Sequence, residues 1–137
     1  MAAVAIRVLV IDDNLNLAEN IADILGLEGC FTEIATTVAE ALAKALPRKP
    51  DVVVIDYRLP GENGASLARR LREMGIAARA VVISALTDDH TLADVEGAGA
   101  TFLAKPLDIT VLIRVICEQE NAALGASLGR RPTRVAL

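Results

Sequence analysis

With 137 residues, 53% of them hydrophobic, the chain is sized for one domain with a real core. A net charge of −4, an isoelectric point near 5.0 and 2% aromatic content under-supply both phosphate neutralisation and base stacking, which makes for a poor general nucleic-acid binder. No apolar run reaches the roughly 18–20 residues of a membrane span, and the first residues, with Arg7 as their cation, do not read as a secretory signal.

Ile6 to Ile11 reads as a first buried strand, and Asn14, after Asp12-Asp13, is suited to cap a helix. That helix runs from Leu15 to Leu27, with Leu17, Ala18, Ile21, Ile24 and Leu25 spaced for one apolar face, and Gly29 ends it. Phe31 to Thr36 is a second, more exposed strand, and Thr37 to Leu46 is an alanine-rich helix stopped by Pro47. Asp51 to Ile55 is a third strand, short and rich in valine, as expected of one buried on both faces. Pro60 to Gly64 is a turn-rich loop, and Ala65 to Met74 a helix ended by Gly75. Ala80 to Ile83 is a fourth buried strand leading into Ser84-Ala85, Thr91 to Glu96 a short helix, and Thr101 to Ala104 a fifth strand leading into Lys105-Pro106. Asp108 can cap a last helix to about Leu124, with Ile109, Leu112, Ile113 and Ile116 inward. Residues 1–128 are thus expected to form the domain, and residues 129–137, arginine-bearing and polar, a tail or linker stub. Strand and helix alternate throughout, which demands a parallel sheet, because parallel neighbours need crossover helices.

Four strand ends then converge. The first strand delivers Asp12 and Asp13, the third Asp56, the fourth Ser84 and the fifth Lys105, all at carboxyl ends and hence on one rim, where open α/β sheets bind ligands. Three close carboxylates repel, and a hard divalent cation removes the conflict; oxygen-only ligands favour Mg²⁺. Lys105 offers a positive charge to Asp56 or to a phosphate on it, and Ser84 offers a hydroxyl. A carboxylate nucleophile flanked by metal, ammonium and hydroxyl suits in-line phosphoryl transfer to give an aspartyl phosphate.

With Val8-Leu9-Val10-Ile11-Asp12-Asp13, Asp56-Tyr57-Arg58-Leu59-Pro60-Gly61, Ser84-Ala85 and Lys105-Pro106 in this order, the chain resembles the receiver domain of two-component response regulators from about Arg7 to the last helix. The resemblance implies a doubly wound, flavodoxin-like fold, five parallel strands in the order 2-1-3-4-5 with five helices. It implies Asp56 as phosphoacceptor, Asp13 as direct Mg²⁺ ligand, Asp12 acting partly through water, and the Arg58 backbone carbonyl completing the metal shell. Lys105, Ser84 and the Ala85 amide would hold the phosphate. Ser84 and Phe102 would move together as a switch, remodelling the face of the fourth helix, fifth strand and fifth helix. Phe102 carries no hydroxyl, so a tyrosine-dependent bond in that switch is absent. The segment Gly97-Ala98-Gly99-Ala100 departs from the family's usual glycine-alanine pair, with Gly99 one residue closer to Lys105. Arg58 is a long cation beside the site.

The resemblance further implies a regulatory phosphoacceptor rather than an enzyme, self-dephosphorylating slowly at most. Its donor is a sensor histidine kinase or phosphotransfer protein, and its target a downstream protein, with neither direct nucleic-acid contact nor membrane insertion. The chain reads as either a stand-alone receiver or part of a hybrid kinase or transcription regulator, and a homodimer through the last helix stays open. A Mg²⁺-dependent phosphatase passing through an aspartyl phosphate is the alternative of another class; Arg58 argues against it, because such enzymes commonly carry an acid there. A phosphate-independent interaction module is a third. Plainer readings stand beside these: acids after the first strand suit a helix dipole, Phe102 packs the core, and His90 starts a surface helix. Cys30 and Cys117 are expected to be buried reduced thiols of a cytoplasmic protein.

Overall fold

The computed structural model describes residues 5–117. In chain order the elements are β1 (Arg7–Ile11), α1 (Leu15–Leu27), β2 (Phe31–Ala35), α2 (Val38–Ala45), β3 (Val52–Asp56), β4 (Arg58–Leu59), β5 (Glu62–Asn63), α3 (Gly64–Glu73), β6 (Arg79–Ser84), α4 (Asp89–Gly97) and β7 (Thr101–Ala104), followed by a helix, α5, described over 109–117. The residues through Leu107 form one compact unit and a second begins at Asp108.

Five strands form one parallel sheet in the order β2-β1-β3-β6-β7, the expected 2-1-3-4-5 once the two-residue strands β4 and β5 are set aside. The central strand β3 is buried along its whole length. Alternation along the strands sorts the core. Leu9, Ile11, Val53, Ile55 and Val82 join Ala41 and Ala45 of α2, Leu67 and Leu71 of α3, and Val95 of α4 in one cluster. Their neighbours Val8, Val10, Val52, Val54 and Val81 are equally buried on the other side, with Ala18, Ile21 and Leu25 of α1. Each of these valines, leucines and isoleucines contributes about 1.5–3 kcal/mol on leaving water.

Every helix starts on a polar cap. Asn14, Thr37, Asn63 and Asp88 accept the amides of Leu17, Glu40, Ser66 and Thr91 through their side-chain oxygens. The Glu40 carboxylate reaches back past the cap to accept the Thr36 amide at 2.7 Å. Asp108 accepts the Thr110 amide at 2.9 Å. The expected extension of this last helix to Leu124, and the tail 129–137, lie outside the described residues.

Three expectations need correction. The segment Pro60–Gly64 is not a plain loop: Arg58 pairs with Asn63 and Leu59 with Glu62 in a small antiparallel ladder, turned at Gly61 with φ +88°. Two residues a side is too little for any periodicity to register. The fourth helix begins earlier and ends later than Thr91–Glu96, because Asp88 caps it and Asp89 sits in its first turn. Its short run of buried positions, Thr91 and Val95, hides its length from an amphipathicity search. The cysteines form no disulfide among the described residues, but Cys30 is only half-buried and Cys117 is exposed. His90 lies exposed at the start of α4, and Phe102 is half-buried against the core.

Candidate functional site

Strand register builds the site. Ile11 lies opposite Ile55, Asp56 opposite Ile83 and Ser84 opposite Ala104. Asp12, Asp56, Ser84 and Lys105 therefore close adjacent strands at one edge. The backbone holds each exit: the Asp12 amide donates to the Ala35 carbonyl at 3.0 Å, Tyr57 to Ile83 at 2.8 Å and Lys105 to Ser84 at 2.8 Å. The Lys105–Pro106 peptide is cis.

The expected acids do meet. Asp12, Asp13 and Asp56 each present a carboxylate oxygen within 4.8 Å of the others. Asp12 and Asp56 are buried, and Asp13 is exposed. Lys105 Nζ lies 3.1 Å from Asp56 Oδ1. Burial pushes the Asp12 carboxyl above its ordinary range, and the charges of Asp56 and Asp13 add to the rise, against the Asn14 amide and Lys105. That amide donates to Asp12 Oδ1 at 2.9 Å and fixes the side chain's orientation. One cation thus faces three acids, and the set has no nitrogen or sulfur ligand. This donor chemistry fits a hard, oxygen-seeking divalent ion.

Ser84 is buried at the same edge, and its Oγ accepts the Leu86 amide at 2.9 Å. The hydroxyl hydrogen remains to be donated. Ala85, next in the chain, is exposed. Arg58 is exposed on β4, two residues beyond Asp56. Phe102 pairs in register with Val82 on β7, three residues before Lys105.

Two supporting positions were not legible beforehand. Gly64 opens α3 directly beneath β3: its amide donates to the Tyr57 carbonyl at 2.7 Å, and a Cβ there would sit 2.6 Å from the Asp56 carbonyl oxygen. Tyr57, buried, reaches away from the acids to donate its hydroxyl to Asp94 Oδ2 on α4 at 2.9 Å. Burial and this bond raise the phenol's pKa. Arg69 of α3 takes the other carboxylate oxygen at 3.0 Å. Burial works to raise the Asp94 carboxyl, but the bonds from Tyr57 and Arg69 outweigh it and hold the group below the usual carboxylate value. The signal that pointed this way is the tyrosine itself, since a buried phenol needs an acceptor.

The Gly97-Ala98-Gly99-Ala100 departure also gains a reason. Gly99 adopts φ +71° just past α4, while the Arg72 guanidinium donates to the Ala98 carbonyl and occupies the space where a Gly99 side chain would stand.

Known proteins resemble this chain. The family model of the response regulator receiver domain matches residues 8–117. The DNA-binding transcriptional activator DevR/DosR of Mycobacterium tuberculosis is 31% identical over 126 residues, covering 90% of this chain and 57% of that protein. A response regulator receiver protein of Anaeromyxobacter is 38% identical over 104 residues, covering 75% of this chain and 44% of its own length. The chain thus spans about half the length of these curated relatives. Among solved structures, the receiver domain of Francisella response regulator 1452 superposes with a TM-score of 0.74 at 33% identity, covering 81% of this chain and 93% of that one. A CheY-like receiver protein from Methanospirillum hungatei superposes at 0.80 with 24% identity, over 86% of this chain and 95% of that one, and this likeness speaks to fold alone.

Proposed function

Because the chain belongs to the response regulator receiver domain family, we propose that it is a phosphorylation-dependent signalling switch with Asp56 as its phosphoacceptor. The observation that carries this reading is the grouping of Asp12, Asp13 and Asp56 within 4.8 Å beside Lys105. A sensor histidine kinase or phosphotransfer protein is the proposed donor. An Asp56 carboxylate oxygen forms a bond to phosphorus as the phosphorus–nitrogen bond of a phosphohistidine breaks, and the departing imidazole recovers a proton from solvent.

Each residue of this chain has a share in that step. Lys105 orients Asp56, then balances the charge gained by the pocket. Ser84 and the Ala85 amide donate to phosphoryl oxygens. Asp13 would ligate Mg²⁺ directly, Asp12 partly through water, and the Arg58 carbonyl would complete the protein's share; bound there, the ion neutralises negative charge on the phosphoryl group and the acids. Exposed Arg58 stands where an arriving water or phosphatase would pass. The readout is a changed surface on α4 and β7, with Ser84 and Phe102 moving together, that engages a downstream protein. This is a local charge event biasing a two-state element. A regulatory phosphoacceptor with slow self-hydrolysis fits better than a phosphatase, since the second residue after Asp56 is Arg58 rather than an acid.

Acetyl phosphate with Mg²⁺ is expected to label the wild type and leave Asp56→Asn unlabelled. Equal labelling of the variant refutes the assignment. Steady turnover of small phosphate esters would favour the phosphatase instead.

A further inference from the structure

Tyr57 follows Asp56 directly, and its backbone is clamped on both sides. Its amide donates to Ile83 of β6 at 2.8 Å, and its carbonyl accepts from Gly64 of α3 at 2.7 Å. From this fixed base a rigid ring carries the hydroxyl to Asp94, near the middle of α4, at 2.9 Å. Asp94 cannot swing away freely, because Arg69 holds its other oxygen at 3.0 Å and its own carbonyl at 3.1 Å. Phe102 on β7 has no hydroxyl, and Tyr57 is the chain's single tyrosine. The chain's single phenol therefore donates from the residue beside Asp56 to the helix that flanks the switch.

We infer that the Tyr57–Asp94 bond couples the Asp56 pocket to α4, so that filling the pocket repositions the helix and holding the helix tunes the pocket. The inference rests on the reading of Asp56 as phosphoacceptor. Its mechanics are local. Ligands drawn to Asp56 pull on the last residues of β3, and Tyr57, one peptide further, cannot shift without moving a hydroxyl bonded to α4. Coupling of this kind is reciprocal, so a change at Asp94 must be felt as a change in affinity at Asp56. Arg72 supplies an internal control. It ties the end of α4 to α3 through the Ala98 carbonyl and has no part in the Tyr57–Asp94 bond.

The test uses beryllofluoride with Mg²⁺ as the probe, on the full 137-residue chain. Affinity is measured by calorimetry and α4 amide protection by hydrogen exchange, for wild type, Tyr57→Phe, Asp94→Ala, the double variant and Arg72→Ala. Each single change at Tyr57 or Asp94 is expected to alter affinity about fivefold or more, the lower end of ordinary coupling. The double variant should change no further, because both changes remove one bond. Beryllofluoride should alter α4 protection in wild type and lose that effect in both single variants. Arg72→Ala should loosen α4 and leave affinity within twofold. The coupling is overturned if the Tyr57 and Asp94 variants bind as wild type does, if their effects multiply in the double variant, or if Arg72→Ala changes affinity as much as they do. A wild type that binds no beryllofluoride overturns the phosphoacceptor reading and the coupling with it, which separates that failure from the others.

Discussion

Neutralising Asp12 should stabilise the metal-free protein. The carboxylate oxygens of Asp12, Asp13 and Asp56 lie within 4.8 Å of one another; at that separation, with an effective dielectric near 20, each pair of charges repels by about 3–4 kcal/mol. Lys105, 3.1 Å from Asp56, offsets part of this. The Asp12 carboxyl is raised, burial being the largest cause, so its native pKa lies above the ordinary aspartate value of 3.8. Its contribution to stability is therefore fully present below 3.8 and is lost as pH rises through the higher native value. At neutral pH the ionised group costs the fold. Asp12→Asn removes the charge and keeps an oxygen for the Asn14 amide, now accepted at 2.9 Å. A net gain of about 1–2 kcal/mol is expected, which raises Tm by roughly 4–8 °C per kcal/mol for a domain somewhat smaller than this one. Thermal unfolding followed by circular dichroism, in EDTA and then in Mg²⁺, measures it. Wild type should gain stability on adding Mg²⁺ by ordinary linkage, and the variant should gain less. A variant that melts below wild type in EDTA, with an undiminished response to Mg²⁺, refutes the charge-repulsion account.

Gly64→Ala should cost about 1–3 kcal/mol in urea unfolding, the usual range for overpacking, because the new Cβ meets backbone of Asp56 at 2.6 Å and cannot be absorbed by a rotamer; an unchanged midpoint would count against the close approach. Lys105→Met leaves three acids without their cation, so the metal-free protein should lose about 1–3 kcal/mol and gain more from Mg²⁺ than wild type does, measured as paired Tm values. The Asp94 carboxyl is held below 3.8, so its contribution is present above that pH and lost as pH falls through the lower native value. The stability gap between wild type and Asp94→Asn should therefore shrink below pH 3.8, and a gap that widens on acidification contradicts the assigned sign.

Most of the sheet was readable because its strands are short, β-branched and buried, and each ends on a residue that breaks the apolar run. Asp12, Asp56 and Lys105 could be placed on one rim from strand order alone, since parallel strands all finish at the same side. The caps were readable where an Asn or Asp preceded an apolar helix, as at Asn14 and Asp108. What escaped was information held between elements. The β4–β5 ladder depends on a turn at Gly61, not on a periodic pattern. Tyr57, Arg69 and Asp94 sit on three elements whose spacing in sequence says nothing of their meeting. Gly64 looked like a loop residue because its constraint comes from another strand's carbonyl. The cysteines were misjudged because residue type predicts burial only on average.

Tyr57 has one more consequence. The chain contains a single tyrosine and no tryptophan, so emission excited beyond the phenylalanine absorption band arises one peptide bond from Asp56. A phenol that donates to a carboxylate is quenched relative to a free one, so the brightness of this fluorophore reports whether the grip on Asp94 is closed. The protein carries its own optical gauge at the residue beside its reactive acid, and events there can be followed in unlabelled material.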